Sequence, residues 1–281
     1  MKSNKNLYYV PVIFVISFLI TTWSIVVVID FCNLFDLQNF FQGKLRVLPL
    51  LWFHIFAEGK VAENIQWLLQ GVCAFISLSL IFRFLKLNLH EYVVCFFALT
   101  AGSIIMVVED SLNIRHHVSD YYLPIFLNVE RVSRNQRMAW EVSFYIVLSA
   151  LMIFPIIFLF AKKLLTNNQT NLWLIFSYGV YGLVGFGSAL RGLGYWQENL
   201  GNWLIERLNL AELPSWAYSL ERMEFWRENL EVYNYTLGYL LVDHLVEESV
   251  ELLAIGLLTT SLLLVRRDLF VKMDAGFFEQ A

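Results

Sequence analysis

The sequence predicts an all-α, polytopic membrane protein: a six-helix transmembrane bundle with interfacial amphipathic helices on the outer side. Of the 281 residues, 58% are hydrophobic and only 16% are charged, which indicates a membrane protein and argues against a soluble domain. Several apolar runs approach or exceed the roughly 20 residues that a helix needs to cross a bilayer. No repeat, low-complexity tract or domain boundary is visible, so residues 1–281 are expected to form a single integral membrane domain.

Six candidate spans follow one another along the chain. The first comes after Lys2 and Lys5 and continues for 22 residues without a charge. It has neither the short apolar core nor the small-residue cleavage site of a signal peptide, so we interpret it as a retained signal-anchor helix. The expected spans are residues 8–29, 65–82, 92–108, 142–161, 172–190 and about 244–265.

The density of lysine and arginine predicts the orientation of these spans. One set of connecting segments holds nine basic residues in 42, and the other holds eleven in 114. The dense set is 1–7, 83–91, 162–171 and 266–281, and the sparse set is 30–64, 109–141 and 191–236. Cytoplasmic loops are enriched in lysine and arginine, so the dense set and both termini are expected to be cytoplasmic, with the protein in the cell membrane.

The outer segments contain amphipathic stretches that are too short to span the bilayer. Residues 45–57 are apolar, and two helical stripes with spaced tryptophans follow within 191–236. Tryptophan is enriched at membrane interfaces, so two amphipathic helices are expected to lie over the outer mouth of the bundle. The stripes are Leu200, Trp203, Leu204 and Leu208, and then Trp216, Leu220, Met223 and Leu230.

The second span carries a polar stripe at three- and four-residue steps. Its members are Glu63, Gln66, Gln70, Cys73 and Ser77. Polar groups inside a membrane are expected to face other helices or a cavity, because lipid cannot satisfy their hydrogen bonds. Hydrogen bonding between helices and the lining of a functional cavity both remain open interpretations.

The last span begins with a cluster of acids. Its uncharged apolar part, residues 252–264 with two threonines and a serine, is too short to cross a bilayer, so the span has to include the acidic residues before it. At about 100° per residue, His244, Glu247, Glu248 and Glu251 share roughly a third of the helix circumference, and Asp243 lies beside them. Unpaired ionised carboxylates are unstable in hydrocarbon, so these groups must be protonated, face water or bind a cation.

A second cluster of acids and histidines follows the third span. If the helix continues, Glu109 shares one face with Asn113, His116 and Asp120, while Asp110 and His117 share another. Spacings of three, four and seven residues suit metal ligands on a helix face. The cluster is also expected at the same membrane depth as the acids of the last span, which predicts one shared site. The alternative is a solvated helix end with an internal Asp110–Arg115 ion pair.

Three short motifs resemble an uncharacterised family of bacterial polytopic membrane proteins. They are Glu58-Gly59 with Glu63 and Trp67, the paired acids Glu109-Asp110, and Glu247-Glu248-Ser249-Val250-Glu251-Leu252. In that family the middle motif continues into a tryptophan and a Gln-Arg pair, whereas residues 111–117 replace it here. The resemblance implies a protein of the bacterial inner membrane, and it carries no known activity, substrate or cofactor.

The donor types predict a metal-dependent membrane enzyme. Carboxylate with imidazole suits zinc, manganese or iron, so a divalent transition metal is the expected cofactor. The expected ligands are Glu109, Asp110, His116, His117, His244 and Glu248, with Glu63 nearby. Glu247 and Glu251 are the expected catalytic carboxylates. Such a site could activate water against a lipid or lipid-linked ester or phosphate.

Two other functions fit the same residues. The acids could belong to a proton or cation pathway, although nothing ionisable follows Glu251 along the last span up to residue 265. They could also pair with a partner subunit, which would make the chain a scaffold of a membrane complex. Expected partners are membrane lipids and other membrane subunits, and no nucleic acid. Cys32, Cys73 and Cys95 lack ligand-type spacing, so neither a disulfide framework nor a thiolate zinc site is expected.

Overall fold

A computed structural model describes residues 5–37, 40, 51–57, 59–190, 195–207 and 237–279. Most of these residues are helical and none of them is in a β-strand, which confirms the all-α prediction for this part of the chain. The α-helices are α1 (Val10–Val26), α2 (Leu51–Phe56), α3 (Val61–Lys86), α4 (His90–Leu112), α5 (Ile114–His117), α6 (Leu123–Leu127), α7 (Arg134–Ala161), α8 (Asn168–Ala189), α9 (Trp196–Arg207), α10 (Leu237–Leu240) and α11 (Glu248–Asp274).

Shorter helical turns of other types flank these helices. The 3-10 turns are Lys5–Tyr9, Leu34–Asp36 and Phe277–Glu279, and the π-helical segments are Val27–Phe31, Val118–Tyr122 and Leu241–Glu247. Each π-helical segment contains one aspartate, namely Asp30, Asp120 and Asp243. A π-turn inserts an extra residue into a helix and is frequent at functional sites, so these three aspartates lie at positions where function is often found.

Five helical stretches of the described chain are long and apolar enough to cross a membrane, as expected of a multi-pass membrane protein. They are Asn6–Phe31, His54–Lys86, His90–Leu112, Asn135–Ala161 and Gly238–Asp274. The remaining expected span, residues 172–190 and the fifth along the chain, falls on α8, which is helical but is not among the five.

Local sequence signals explain where two of the long helices begin. Ser133 accepts a hydrogen bond from the Gln136 backbone N–H while the Gln136 side chain accepts one from Ser133, so a capping box starts α7. Asn167 caps α8 through its side-chain oxygen and the backbone N–H of Gln169. Both caps satisfy backbone donors that the first helical turn leaves without partners.

The chain divides into two compact units. Unit 1 comprises Met1–Phe14, Ile65–Gly192 and Leu253–Ala281, and unit 2 comprises Val15–Asn64 and Leu193–Leu252. The expected single membrane domain stays a prediction.

Aromatic rings pack in unit 1 where α3 ends and α4 begins. Phe84 stacks on Tyr92 and Phe96, with ring centroids 5.0 and 5.6 Å away, and Phe278 meets Phe84 edge-on. Deeper along α4, Gly102 faces Met152 of α7, and a Cβ at Gly102 would lie only 2.7 Å from the Met152 sulfur. Glycine at this position therefore allows α4 and α7 to pack closely.

In unit 2, two glycines bring α9 against α10. A Cβ built on Gly201 would overlap the backbone of Gly238, and one built on Gly238 would overlap Asn202. Glycine is required at both positions because any side chain would separate the two backbones. This crossing places the start of α9 beside the π-helical segment that follows α10, which is the beginning of the acidic stretch.

Candidate functional site

The acidic stretch of unit 2 is not an uninterrupted α-helix. Residues Leu241–Glu247 are π-helical, and α11 begins at Glu248. The prediction that placed His244 and the three glutamates on one face assumed about 100° per residue, and that assumption is wrong across the π-helical segment. Burial separates these side chains: His244 is buried, whereas Glu247, Glu248 and Glu251 are half-buried.

The imidazole of His244 lies between a carboxylate and an indole. Its Nδ1 is 3.9 Å from Asp243 Oδ2, and its ring centroid is 6.5 Å from that of Trp52. The Tyr239 hydroxyl donates a hydrogen bond of 3.2 Å to the other carboxylate oxygen, Oδ1, of Asp243. The tyrosine restrains the aspartate, which in turn lies beside the histidine, so the sequence neighbours Asp243 and His244 belong to one polar arrangement.

Glu247 accepts a hydrogen bond from a side chain that sequence reasoning missed. Gln197 Nε2 at the start of α9 donates to Glu247 Oε2 at 2.7 Å. Gln197 is only 1% exposed, and its Oε1 is buried without a hydrogen-bond partner. The sequence indicates part of this contact. Gln197 precedes Gly201 by one helical turn, so it lies on the helix face that Gly201 packs against α10.

Two other carboxylates of unit 2 bind backbone N–H groups. Glu63 accepts from Gly59 and so closes the turn that leads into α3. Asp30 is buried and accepts from the N–H groups of Leu51 and Trp52, at 3.0 and 2.8 Å, at the start of α2. Glu63 was expected near the metal site, whereas Asp30 was not singled out. Both now have a structural role in holding helix ends.

In unit 1, Glu109 forms a buried ion pair. Arg115 Nε lies 3.4 Å from Glu109 Oε1, and both residues are buried. The guanidinium also donates to the Tyr145 hydroxyl and lies over that ring, with Cζ 4.9 Å from the centroid. The Trp140 indole donates to the Arg115 carbonyl at 3.1 Å, so both ends of the arginine are held by α7. The ion pair considered from the sequence joined Arg115 to Asp110, and the structure shows Arg115 in an ion pair with Glu109.

Asp110 instead binds two glutamines of the polar stripe. Gln66 Nε2 and Gln70 Nε2 both donate to Asp110 Oδ2, at 3.1 and 2.5 Å. Further along the stripe, Cys73 Sγ lies 3.2 Å from Thr259 Oγ1. From Gln66 to Cys73 the stripe therefore faces α4 and α11 within unit 1, which confirms that it is directed toward other helices. Gln70 Oε1 is buried and has no hydrogen-bond partner.

The helix does not continue past Leu112. Asn113 adopts a left-handed conformation (φ 49°), which ends α4 and turns the chain into α5. The expected single face through Asn113 and Asp120 is therefore wrong. Asp120 pairs instead with Arg137, and the His117 ring meets Tyr121 edge-on. The side chain of His116, an expected ligand, lies outside the described residues.

The predicted ligands and the predicted catalytic carboxylates fall in both units. Glu109, Asp110, His116 and His117 belong to unit 1, and His244, Glu247, Glu248 and Glu251 belong to unit 2. Within the described side chains, no group of three or more histidine, cysteine, aspartate or glutamate residues is arranged to hold a metal ion. The shared site and its metal stay predictions.

Comparisons with protein-family models, with curated proteins and with solved structures give no match to this chain. The chemistry of its site therefore has to be inferred from its own residues. In unit 2 the histidine next to an aspartate and the glutamates that follow offer donors for a cation. In unit 1 a carboxylate held by two amides lies next to a carboxylate held by a guanidinium.

Proposed function

We propose that this chain is a multi-pass protein of the cell membrane whose carboxylate and histidine stretch binds a divalent transition metal and acts on a lipid or lipid-linked substrate. The arrangement of His244 beside Asp243, with Nδ1 3.9 Å from Oδ2, carries the proposal. Metal-binding histidines commonly turn one ring nitrogen toward a carboxylate, which orients the ring and leaves the other nitrogen for the metal.

The glutamates that follow His244 supply the remaining chemistry under this proposal. Glu248 is proposed as a ligand with His244, and Glu247 and Glu251 as the carboxylates that take up a proton from water. The additional proposed ligands are Glu109, Asp110, His116 and His117. Imidazole with carboxylate favours zinc, manganese or iron, and a bound metal would polarise an ester or phosphate group. Because the described side chains do not already converge, the glutamates must change rotamer on binding.

Metal content tests the proposal directly. Full-length protein purified without chelator is expected to contain a stoichiometric transition metal, and His244→Ala or Glu248→Gln is expected to lower its retention about tenfold or more. Glu206→Gln provides the matched control, because Glu206 is an exposed acid of the same unit. Wild-type protein without metal would contradict the proposal, above all if Glu247→Gln combined with Glu251→Gln left its melting temperature unchanged.

The proposed topology has six spans, two cytoplasmic termini and interfacial helices on the outer side. α8 has 22 residues and is therefore about 33 Å long, enough for a bilayer core. Leu200 and Trp203 of α9 are 38% and 51% exposed, which supports an apolar face for α9 in the membrane interface. The second expected amphipathic helix lies outside the described residues. Accessibility labelling of cysteines at residues 4 and 210 tests the topology, since labelling from the same side would contradict it.

A cation pathway is the second candidate function. The observation that favours it is the series of polar contacts in unit 1, from Asp110 through Gln66 and Gln70 to Cys73 and Thr259. Such a series could carry a cation past apolar side chains. Flux measured in proteoliposomes that Asp110→Asn abolishes, together with an absence of metal, would favour this function over the enzyme.

A further inference from the structure

Arg266 differs from the other arginines near the end of α11. Arg267 pairs with Asp268, with Nη2 2.7 Å from Oδ1, and Arg83 pairs with Asp274 at 3.3 Å. Arg266 makes no such ion pair within the described residues, and its Nε is buried without a hydrogen-bond partner. A buried N–H of a charged group without an acceptor is costly, so an acceptor is expected from a ligand.

Arg266 and Arg83 both place a guanidinium next to the ring of Phe270. The Cζ atoms of Arg266 and Arg83 are 4.8 and 5.6 Å from the centroid of the same ring, that of Phe270. All three residues belong to unit 1. Both positive charges are held near one aromatic ring, which favours the binding of an anion that accepts hydrogen bonds from both.

Two lysines of the same unit have hydrogen-bond acceptors for their ammonium groups. Lys162 donates to Glu91 at 2.8 Å, and this hydrogen bond raises the pKa of Lys162, which keeps its ammonium group charged. Lys272 donates to the carbonyl of Lys163 at 3.2 Å. These cations have acceptors from the protein, whereas Arg266 Nε has none among the described residues. The unmatched donor therefore belongs to Arg266, next to the ring of Phe270.

We propose that Arg266 and Arg83 bind the phosphate group of an anionic phospholipid. Both arginines come directly after apolar runs of membrane-length helices, which is the level at which lipid phosphates lie. Guanidinium recognises phosphate through two parallel N–H donors, and Arg266 Nε is such a donor. Asp274 cancels one of the two charges, so the site keeps a net positive charge and prefers a lipid of net negative charge to a zwitterionic one.

Native mass spectrometry of the full chain in detergent tests this site. Phosphatidylglycerol, phosphatidylcholine and inorganic phosphate are titrated separately, and the lipid-bound fraction is measured. Wild-type protein is expected to retain phosphatidylglycerol most strongly, and Arg266→Gln is expected to weaken that binding about tenfold. Arg83→Gln is also expected to weaken phosphatidylglycerol binding. Because Arg83 is exposed, this variant provides the test if the Arg266 variant does not fold.

Lys86→Gln is the matched control, because Lys86 is an exposed cation on the last turn of α3. It is expected to retain phosphatidylglycerol as the wild type does. Equal losses in the Lys86 and Arg266 variants would show only general surface charge and would overturn the site. Equal retention of the two lipids would overturn the preference for an anionic headgroup. Inorganic phosphate that displaces the lipid and binds equally well would overturn the lipid as the source of the phosphate.

Discussion

Glu109 of unit 1 and Glu247 of unit 2 are both glutamates near one end of a membrane-length helix, but their partners differ in charge. Glu109 meets the guanidinium of Arg115 at 3.4 Å. Glu247 meets the neutral amide of Gln197 at 2.7 Å. A guanidinium matches the charge of a carboxylate, whereas an amide donates a hydrogen bond and contributes no net charge. Gln197 therefore gives Glu247 a hydrogen bond without adding a positive charge.

The same contrast separates two neighbouring acids inside unit 1. Asp110 follows Glu109 directly, yet it takes its hydrogen bonds from Gln66 and Gln70. Consecutive residues of a helix point in different directions, so each acid reaches a different element. Glu109 thus has a guanidinium partner in Arg115, and Asp110 accepts hydrogen bonds from two amides.

The largest expected effect comes from breaking the buried ion pair of unit 1. Arg115→Leu leaves the Glu109 carboxylate buried without its guanidinium, and the free energy of unfolding is expected to fall by about 3–5 kcal/mol. Denaturant unfolding in detergent measures the loss. Arg131→Leu is the control, since Arg131 is exposed. The double variant Glu109→Leu with Arg115→Leu is expected to recover most of the stability, and a double variant as unstable as Arg115→Leu would contradict the interpretation.

The helices were largely predictable from the sequence, because apolar run length and capping residues are local signals. The ends of the runs were less predictable. Asn113 stops α4 by adopting a left-handed conformation, and an asparagine in a helical pattern does not by itself reveal whether it will do so. The π-helical turn at Leu241–Glu247 is also invisible to a count that assumes 3.6 residues per turn.

The acids of the candidate site were predicted as residues, but their partners were not. Gln197 lies 50 residues before Glu247, and Gln70 lies 40 residues before Asp110. Such pairs depend on which helices pack together, and periodicity along one helix contains no information about that packing. Arg115 was considered as a partner of Asp110, and its ion pair with Glu109 follows the turn at Asn113 between them.

Gln197 of unit 2 and Gln70 of unit 1 are expected to contribute different amounts to stability. Gln197→Leu removes an amide donor from Glu247, and a loss of about 1.5–3 kcal/mol is expected because the acceptor is a carboxylate. Gln70→Leu is expected to cost less, about 1 kcal/mol, because Gln66 still donates to Asp110. Gln169→Leu, on the exposed start of α8, is the control for added apolar surface. Equal losses for the Gln70 and Gln197 variants would show that the remaining Gln66 amide does not compensate Asp110 for the loss of Gln70.

The smallest effect is expected at the second ion pair of unit 1, between Arg137 and Asp120. Their side chains are 35% and 30% exposed, so water screens the pair far more than it screens the buried Glu109 and Arg115. Arg137→Gln is expected to lower the free energy of unfolding by no more than about 1 kcal/mol, and raised salt should reduce that difference further. The same unfolding experiment at low and high salt measures it. A loss as large as that of Arg115→Leu would mean that charge pairing, and not burial, determines the cost in this unit.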